Sequence, residues 1–351
     1  MSSTKKTFTA DFVRKGMAIT LTIGLITMGG LLFSSTTAAT WRSLKMIQPK
    51  NIFLMFGVVI LSWLVEGLRV KTIASLLDEK IGFFEILRIN LASIFSGNIT
   101  PLYSGSVPTQ VYLLHQHGIS IGKASAIVTI RLSFTSLLVA VGGPVLLFLF
   151  KGKLLDEIGL SGLAGIVNYL LLLALDFAAL LLLLLFRPRK GESLVKKVFS
   201  FKIIRQILGS KADRFCRKIL AEGEEFRACL GTLFMEKTIP VLFVFVLTFC
   251  SWLSTLLIAP VVMMAFGVNV QDKIIRILLL ECVLHFLLSF VPIPGGSGAA
   301  EIGFFSIFAI YLPKHLQAIS VTFWRLLSYH LNTLVGGVCF LRLFTTKQGK
   351  Q

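Results

Sequence analysis

Long apolar stretches separated by short polar segments run along almost the whole chain. A helix that crosses a lipid bilayer needs roughly 20 mainly apolar residues, and these stretches reach or approach that length. They cover residues 16–41, 51–67, 123–150, 162–186, 238–267, 274–290 and 317–343. The first follows basic residues, as a signal peptide does, but the many later stretches favour an uncleaved transmembrane helix. The pattern predicts an all-α, polytopic integral membrane protein of about seven or eight transmembrane helices in a single membrane domain over 1–351.

Two stretches at membrane depth contain residues that interrupt a helix. Residues 89–122 lack Asp, Glu, Lys and Arg but are broken between 97 and 108 by glycines and prolines. A second interruption, at 291–301, contains Pro292, Pro294 and three glycines. Irregular backbone is tolerated inside a membrane only where it is buried in protein or lines a wet cavity. We therefore expect two re-entrant helical hairpins, with a first tip at 97–108 and a second tip at 291–301.

Composition and charge narrow the class of protein further. Of the 351 residues, 55% are hydrophobic and 15% charged, and the mean hydropathy is +0.83, which excludes an ordinary soluble domain. The net charge is +18, and 187–237 holds thirteen basic residues against six acidic ones. Basic residues between apolar stretches indicate cytoplasmic loops and contacts with anionic lipid head groups rather than nucleic acid. We expect the 187–237 loop and both termini in the cytoplasm, and the loop to hold an amphipathic helix on the inner leaflet or a solvated connector.

The two interrupted stretches occupy equivalent places in two similar halves of the chain. Arg131 follows Pro101 by 30 positions, and Arg325 follows Pro294 by 31. Counting spans from a cytoplasmic central loop puts the two tips on opposite faces of the membrane, so the halves are predicted to be inverted copies. Inverted repeats with broken helices are a recurrent transporter design, and a chance similarity of spacing is the alternative. We assign residues 51–150 to the first repeat and residues 238–344 to the second.

Cysteines and short motifs give no sign of a metal centre, a cofactor or a familiar enzyme. The five cysteines lack metal-ligand spacing, so we expect reduced, apolar side chains. They are Cys216, Cys229, Cys250, Cys282 and Cys339. The sequence has no zinc-protease, Walker A or serine-hydrolase motif. We predict no cofactor, no metal and no catalytic residue, although a membrane transferase that needs only one base, such as Glu301, stays open.

Arg131 and Arg325 lie inside apolar helices, where an ionised side chain is costly without a partner or a wet cavity. Arginine can grip a phosphate through two parallel hydrogen bonds, so the functional hypothesis is that both residues bind a phosphate head group. Snorkelling or a structural ion pair is the alternative. Glu301 is the expected counter-charge, which can pair with either arginine, titrate to couple transport to protons, or cap the next helix.

Three further titratable residues in apolar segments are candidates for gating or coupling, together with Glu301. Glu281 and His285 are four positions apart, so they share one face of a helix. His285 is a candidate proton relay, with a packing role as the alternative. Asp176 stands alone in a leucine-rich span, which suggests a partner such as Arg131.

The two tips supply small polar groups and flexible backbone. Glycine permits positive φ and close approach, and consecutive N–H groups at the second tip are expected to form an anion-binding nest. The candidate tip residues are Asn98, Pro101, Tyr103, Gly105, Pro108, Pro294, Gly295, Gly296 and Gly298.

These tip sequences resemble the flippase-like transmembrane domain of the lysylphosphatidylglycerol synthase family, also known as UPF0104. The resemblance rests on N-I-T-P-L-Y-S-G-S-V-P at 98–108 leading to Arg131, and on P-I-P-G-G-S-G at 292–298 with Glu301 and Arg325. It implies a domain that moves lipids between leaflets. Members that aminoacylate lipid carry a separate soluble domain, and we do not expect the synthase activity here. The first tip is less acidic than the family pattern, which argues against a charge-based role for it.

Together, these observations predict a lipid translocase in a bacterial or archaeal plasma membrane. The expected substrate is an anionic, phosphate-bearing lipid, either a phospholipid or a polyprenyl-phosphate carrier, and no nucleic acid is expected as a partner. One alternative is an integral-membrane transferase or accessory subunit with a soluble enzyme partner docked on the 187–237 loop. A membrane scaffold is another, and a homo-oligomer is compatible with each.

Overall fold

The structure, a computed structural model, is helical throughout the residues it describes. These are 38–45, 47–149, 212–236 and 238–345, with five separate positions between 22 and 33. No strand occurs among them, so the predicted all-α fold is confirmed. The predicted span 162–186, Asp176 within it, and the loop segment 187–211 lie outside the described residues.

The helices follow one another with short connections in each half of the chain. In the first half they are α1 (Ala38–Lys45), α2 (Pro49–Leu76), α3 (Phe83–Asn98), α4 (Ser106–Gln116) and α5 (Ile121–Leu149). In the second half they are α6 (Ala212–Glu236), α7 (Thr238–Leu256), α8 (Ile258–Ala265), α9 (Ile274–Leu288), α10 (Ala299–Phe308), α11 (Lys314–Arg325) and α12 (Leu331–Thr345).

Four helical stretches within the described residues are long and apolar enough to cross a membrane. They are Pro49–Leu76, Ile121–Leu138, Ile239–Ala265 and Lys314–Phe344, and they coincide with four of the predicted spans. The predicted span 274–290 forms α9, whose 15 residues are too few to cross a bilayer. It is one arm of the second hairpin instead.

Both hairpin tips share an unusual backbone. The first hairpin is α3 and α4 joined by a 3₁₀ turn at Pro101–Tyr103, and the second is α9 and α10 joined through a 3₁₀ turn at Pro294–Gly296. The two residues after each proline have positive φ, 53° and 57° in the first tip and 61° for both in the second. A left-handed conformation costs a non-glycine residue about 1–2 kcal/mol. Surrounding contacts must therefore hold the first tip in a shape that glycine adopts freely in the second.

The order of elements recurs in the two halves with a nearly constant offset. Helices α2, α3, α4 and α5 begin 189, 191, 193 and 193 residues before α7, α9, α10 and α11, respectively. Arg131 and Arg325 are 194 positions apart. This recurrence extends the similarity of the halves from the tips to the flanking helices, while the inverted orientation of the second half stays a prediction.

The two halves interlock rather than lie side by side. Helix α12 packs along α3, and α7 packs along α2. A side chain on Gly336 of α12 would collide with the carbonyl oxygen of Leu91 in α3, so glycine allows these two backbones to approach closely. The rings of Phe95 and Phe340 extend the contact, with centroids 5.4 Å apart. This packing brings the two 3₁₀ turns into contact with each other.

Helix α6 packs on the start of α5. Glu222 Oε2 accepts a hydrogen bond of 2.5 Å from the N–H of Gly122, in the first turn of α5. Leu233 and Cys229 are buried, and burial raises the pKa of the Cys229 thiol, which keeps it an unreactive apolar side chain. The C-terminal end of the 187–237 loop is thus helical and packs against protein, while the placement of the loop on the inner leaflet stays a prediction.

The basic excess of the 187–237 loop is unevenly distributed. Eight basic residues and one acidic residue lie in 187–211, whereas 212–237 holds five of each sign. Helix α6 is therefore nearly neutral. The positive charge that predicts the orientation of the chain belongs to the segment outside the described residues.

Candidate functional site

A cluster of charged residues joins three helices. Glu66 and Arg69 lie one turn apart on α2, Arg131 lies on α5, and Ser251 lies on α7. Glu66 Oε1 accepts hydrogen bonds from Arg69 Nη2 at 2.7 Å and from Arg131 Nη1 at 2.9 Å. Glu66 Oε2 accepts one from Ser251 Oγ at 2.8 Å. One carboxylate thus holds two guanidinium groups together. We use the name Arg131 cluster for the five residues Glu66, Arg69, Arg131, Thr135 and Ser251.

The Arg131 cluster is enclosed, yet some of its donors lack partners. The side chains of Arg69, Arg131 and Glu66 are 3%, 12% and 14% exposed. Arg69 Nη1 also donates to Thr135 Oγ1 at 3.0 Å. Within the described residues, the Nε atoms of both arginines are buried without a hydrogen-bond partner. Because an unsatisfied buried donor is costly, the cluster has capacity for a further acceptor.

The first tip lies next to this cluster. Tyr103 interacts electrostatically with Arg131 and Glu66. Its ring packs on Gly97, where any side chain would collide with it. The ring is nevertheless about half-exposed, so an accessible aromatic face borders the charged residues.

Small polar side chains hold the first tip in its strained shape. Thr100 Oγ1 donates to the Ser96 carbonyl and accepts from the Gly105 N–H, both at 2.8 Å. Thr109 Oγ1 donates to Ser96 Oγ at 2.7 Å, and Ser96 Oγ donates to the Gly105 carbonyl at 3.1 Å. Pro108 lies in the first turn of α4, where its missing N–H costs little. The hydrogen bonds of Thr100 and Ser96 therefore support the backbone of the first tip itself.

A second cluster surrounds Arg325 at the second tip. Arg325 Nε donates to Glu301 Oε1 at 3.0 Å, and Arg325 Nη2 donates to the Gly295 carbonyl. The guanidinium lies over the ring of Tyr329, 4.1 Å from its centroid. Glu301 Oε2 accepts from the N–H of Gly298 at 2.6 Å, so Glu301 pairs with Arg325 and also caps α10. We call these five residues the Arg325 cluster; the side chains of its ion pair are only 5% and 1% exposed.

A π-helical turn at Leu326–His330 places Tyr329 between the two tips. Tyr329 Oη donates to the Asn98 carbonyl at 3.2 Å, and Asn98 Nδ2 donates to Thr333 Oγ1 at 2.8 Å. The backbone of Gly295 lies against the Tyr329 ring, where any side chain would collide. Such π turns often occur at functional sites. This one ties the second tip to the first.

Three backbone N–H groups of the second tip already have acceptors. The Gly296 N–H donates to the Ile293 carbonyl at 2.9 Å, and the Ser297 N–H donates to the Pro294 carbonyl at 3.4 Å. The Gly298 N–H donates to the capping carboxylate described above. The expectation of an anion-binding nest is therefore wrong for these three donors, because each already has an acceptor within the chain.

Two titratable residues of α9, Glu281 and His285, lie against two tryptophans. Trp324 Nε1 donates to Glu281 Oε1 at 2.6 Å, and His285 Nδ1 is 3.7 Å from the same oxygen. The Glu281 side chain is fully buried, and its Oε2 has no hydrogen-bond partner within the described residues. The ring centroid of His285 is 6.4 Å from that of Trp324 and 6.1 Å from that of Trp252. Each tryptophan adjoins a member of one cluster in sequence, since Trp324 precedes Arg325 and Trp252 follows Ser251.

The structure separates the two arginines that the sequence analysis treats as a pair. Arg131 contacts Glu66, whereas Arg325 contacts Glu301, so each arginine has its own carboxylate. Asp176, the other candidate partner of Arg131, lies outside the described residues. Among the residues that are described, no three His, Cys, Asp or Glu side chains are grouped so that they can hold a metal ion.

Five residues of the clusters were not predicted, namely Glu66, Arg69, Thr135, Ser251 and Tyr329. Glu66 and Arg69 had a usable signal, because opposite charges three positions apart in an apolar helix predict a buried pair. Tyr329 had none, since its position depends on the π-helical turn and on the close approach of the second tip.

Comparisons with known proteins match most of the chain. Residues 17–336 match the family model described as "Lysylphosphatidylglycerol synthase TM region". The chain is also 26% identical over 320 residues to a protein of Archaeoglobus fulgidus described as "UPF0104 membrane protein", an alignment that covers 89% of this chain and 93% of that protein. The matched range includes both tips and both arginine clusters.

Proposed function

The chain belongs to the family of the lysylphosphatidylglycerol synthase TM region, and on this basis we propose that it moves an anionic, phosphate-bearing lipid between the leaflets of a membrane. The substrate is a phospholipid or a polyprenyl-phosphate carrier. The membrane is the plasma membrane of a bacterium or archaeon, with both termini in the cytoplasm and the two halves in inverted orientation.

The state of Arg131 carries this proposal. Its guanidinium lies within a helix long and apolar enough to cross a membrane, and the buried Nε has no partner within the described residues. Arginine in such a place needs an acceptor, and its planar guanidinium can hold a phosphate through two parallel hydrogen bonds. The accessible ring of Tyr103 beside it can pack against the lipid as the phosphate approaches.

The different states of the two arginines favour alternate use. Arg325 is occupied by Glu301, by the Gly295 carbonyl and by the Tyr329 ring, whereas Arg131 keeps an unpartnered donor. In the proposed cycle, each arginine binds the lipid phosphate in turn. The donors of the other arginine are meanwhile occupied by its own partners within the chain. The first and second tips act as the two gates, and Tyr329 communicates the state of one tip to the other.

Glu301, Glu281, His285 and Asp176 are the proposed gating and coupling residues. Opening the Arg325 cluster requires Glu301 to release its arginine, and a proton on the carboxylate allows this. Within the described part of the chain, one oxygen of Glu281 has no partner, and the side chain lies beside His285, so the two can pass a proton toward the Arg325 cluster. We propose the basic 187–237 loop as the docking site for a soluble enzyme partner.

The proposal is tested by leaflet exchange in liposomes. Purified protein is reconstituted with phosphatidylglycerol that carries a fluorescent label, and dithionite reports the label that reaches the outer leaflet. We expect Arg131→Ala to slow exchange about tenfold or more, because it removes charge-assisted hydrogen bonds worth roughly 1.5–3 kcal/mol. Arg131→Lys keeps the charge without the paired donors, so an intermediate rate is expected.

Arg88→Ala is the matched control. Arg88 is an exposed cation on α3, so its removal changes the net charge equally without touching either cluster. Equal exchange in empty, wild-type and Arg131→Ala vesicles, for several anionic lipids, contradicts the proposed translocase.

A further inference from the structure

The Arg131 cluster carries an excess of one positive charge. Arg69 and Arg131 contribute two positive charges, and Glu66 contributes one negative charge. Thr135 and Ser251 are neutral. Among the described residues, the charged groups that act on Glu66 are these same two arginines. The cluster is therefore one anion short of neutrality in a segment where an uncompensated charge is expensive.

The charge of a bound phosphate decides whether the site becomes neutral. A phosphodiester carries one negative charge and neutralises the cluster completely. A phosphomonoester carries nearly two charges above its second pKa of about 6, so it leaves an uncompensated negative charge in the same enclosed place. The two kinds of lipid head group are therefore unequal ligands for this cluster.

We infer that the Arg131 cluster selects lipid head groups with a single negative phosphate charge. The negative charge of Glu66 determines this preference, because it leaves the cluster with one uncompensated positive charge. The inference rests on the proposed function and narrows its substrate to phosphodiester lipids rather than polyprenyl monophosphates. Glu66 is suited to the role because Ser251 holds one carboxylate oxygen while the other bridges both arginines. The carboxylate thus stays in place while a lipid phosphate contacts the guanidinium of Arg131, whose side chain is 12% exposed.

The experiment compares the binding of two lipids that differ in phosphate charge. Short-chain phosphatidylglycerol and phosphatidic acid with identical acyl chains are titrated into purified protein in an uncharged detergent at pH 9, where arginine remains protonated. Wild-type protein is expected to prefer phosphatidylglycerol. Glu66→Gln keeps an acceptor oxygen but raises the cluster to two positive charges. It should therefore shift the ratio of the two Kd values toward phosphatidic acid by about tenfold or more.

Two further variants make the result specific to the cluster. Arg69→Gln lowers the cluster charge to zero and should shift the ratio in the opposite direction. Glu79→Gln removes a carboxylate from the partly exposed Glu79–Lys123 pair, and the ratio should not change. A ratio that is unmoved in both cluster variants, or that moves equally in Glu79→Gln, overturns the inference. If the ratios shift as expected but wild-type vesicles show no leaflet exchange, the inferred head-group preference holds and the translocase proposal fails.

Discussion

Removing one charge from the Arg325 cluster tests how strongly the buried ion pair holds the second tip. Glu301→Gln is the informative change, because glutamine has nearly the same shape and keeps an oxygen that can accept from the Gly298 N–H. The helix cap of α10 is thereby retained, and its loss, worth about 1 kcal/mol, does not confuse the result. What disappears is the negative charge 3.0 Å from Arg325 Nε.

The magnitude follows from the burial of both partners. Their side chains are only 5% and 1% exposed, so Glu301→Gln leaves a guanidinium nearly out of contact with water. Removing one partner of such a buried pair lowers the free energy of unfolding by roughly 3–5 kcal/mol. Combining Glu301→Gln with Arg325→Met removes both charges, and we expect the double variant to recover about 2 kcal/mol relative to the sum of the single effects.

The measurement is the free energy of unfolding, obtained by titrating the protein with sodium dodecyl sulfate in mixed micelles and following tryptophan fluorescence. The Lys123–Glu79 pair is the matched control. Lys123 Nζ and Glu79 Oε1 are 2.7 Å apart, but the two side chains are 29% and 21% exposed. Glu79→Gln is expected to cost less than about 1 kcal/mol. If Glu301→Gln costs no more than this control, or if the double-variant effects simply add, the ion pair does not hold the tip.

Three other outcomes follow from the geometry. Gly295→Ala should lower the free energy of unfolding by well over about 1 kcal/mol, because the added methyl group collides with the Tyr329 ring and the residue has a positive φ. Gly223→Ala is the control: its methyl group has open space in α6, so it should leave the free energy of unfolding unchanged or raise it in the same titration. Tyr329→Phe keeps the ring over the guanidinium but loses the hydrogen bond to the first tip, so we expect the free energy of unfolding to fall by about 1 kcal/mol and leaflet exchange to slow; a variant with unchanged unfolding and unchanged exchange contradicts a link between the tips. Cysteines at the exposed positions Lys80 and Gln271, which precede the two hairpins, should react with an impermeant maleimide from opposite sides of sealed vesicles, and labelling from one side contradicts the inverted topology.

The boundaries of the hairpins and the positions of the arginines were predictable because they depend on local chemistry. Proline and glycine interrupt a helix wherever they occur in it, and the 3₁₀ turns at Pro101–Tyr103 and Pro294–Gly296 lie inside the predicted tips. The same holds for Arg131 and Arg325, since a cation in an apolar stretch is conspicuous without any knowledge of its neighbours. The span predicted at 274–290 failed for a related reason. Apolar composition indicates burial, and it does not distinguish a hairpin arm from a helix that crosses the membrane.

The sequence by itself determined that the chain is helical and apolar, where its helices break, and which cations lie at membrane depth. Only the tertiary structure decided which groups those cations contact. Glu66 is 65 positions from Arg131, and Ser251 comes from a third helix in the other half of the chain. Such partners depend on how each helix is rotated about its axis and how closely its neighbours approach, as Gly336 allows for α3 and α12. Hydrophobic periodicity defines the buried face of a helix, but the packing of the other helices determines which side chain meets it there.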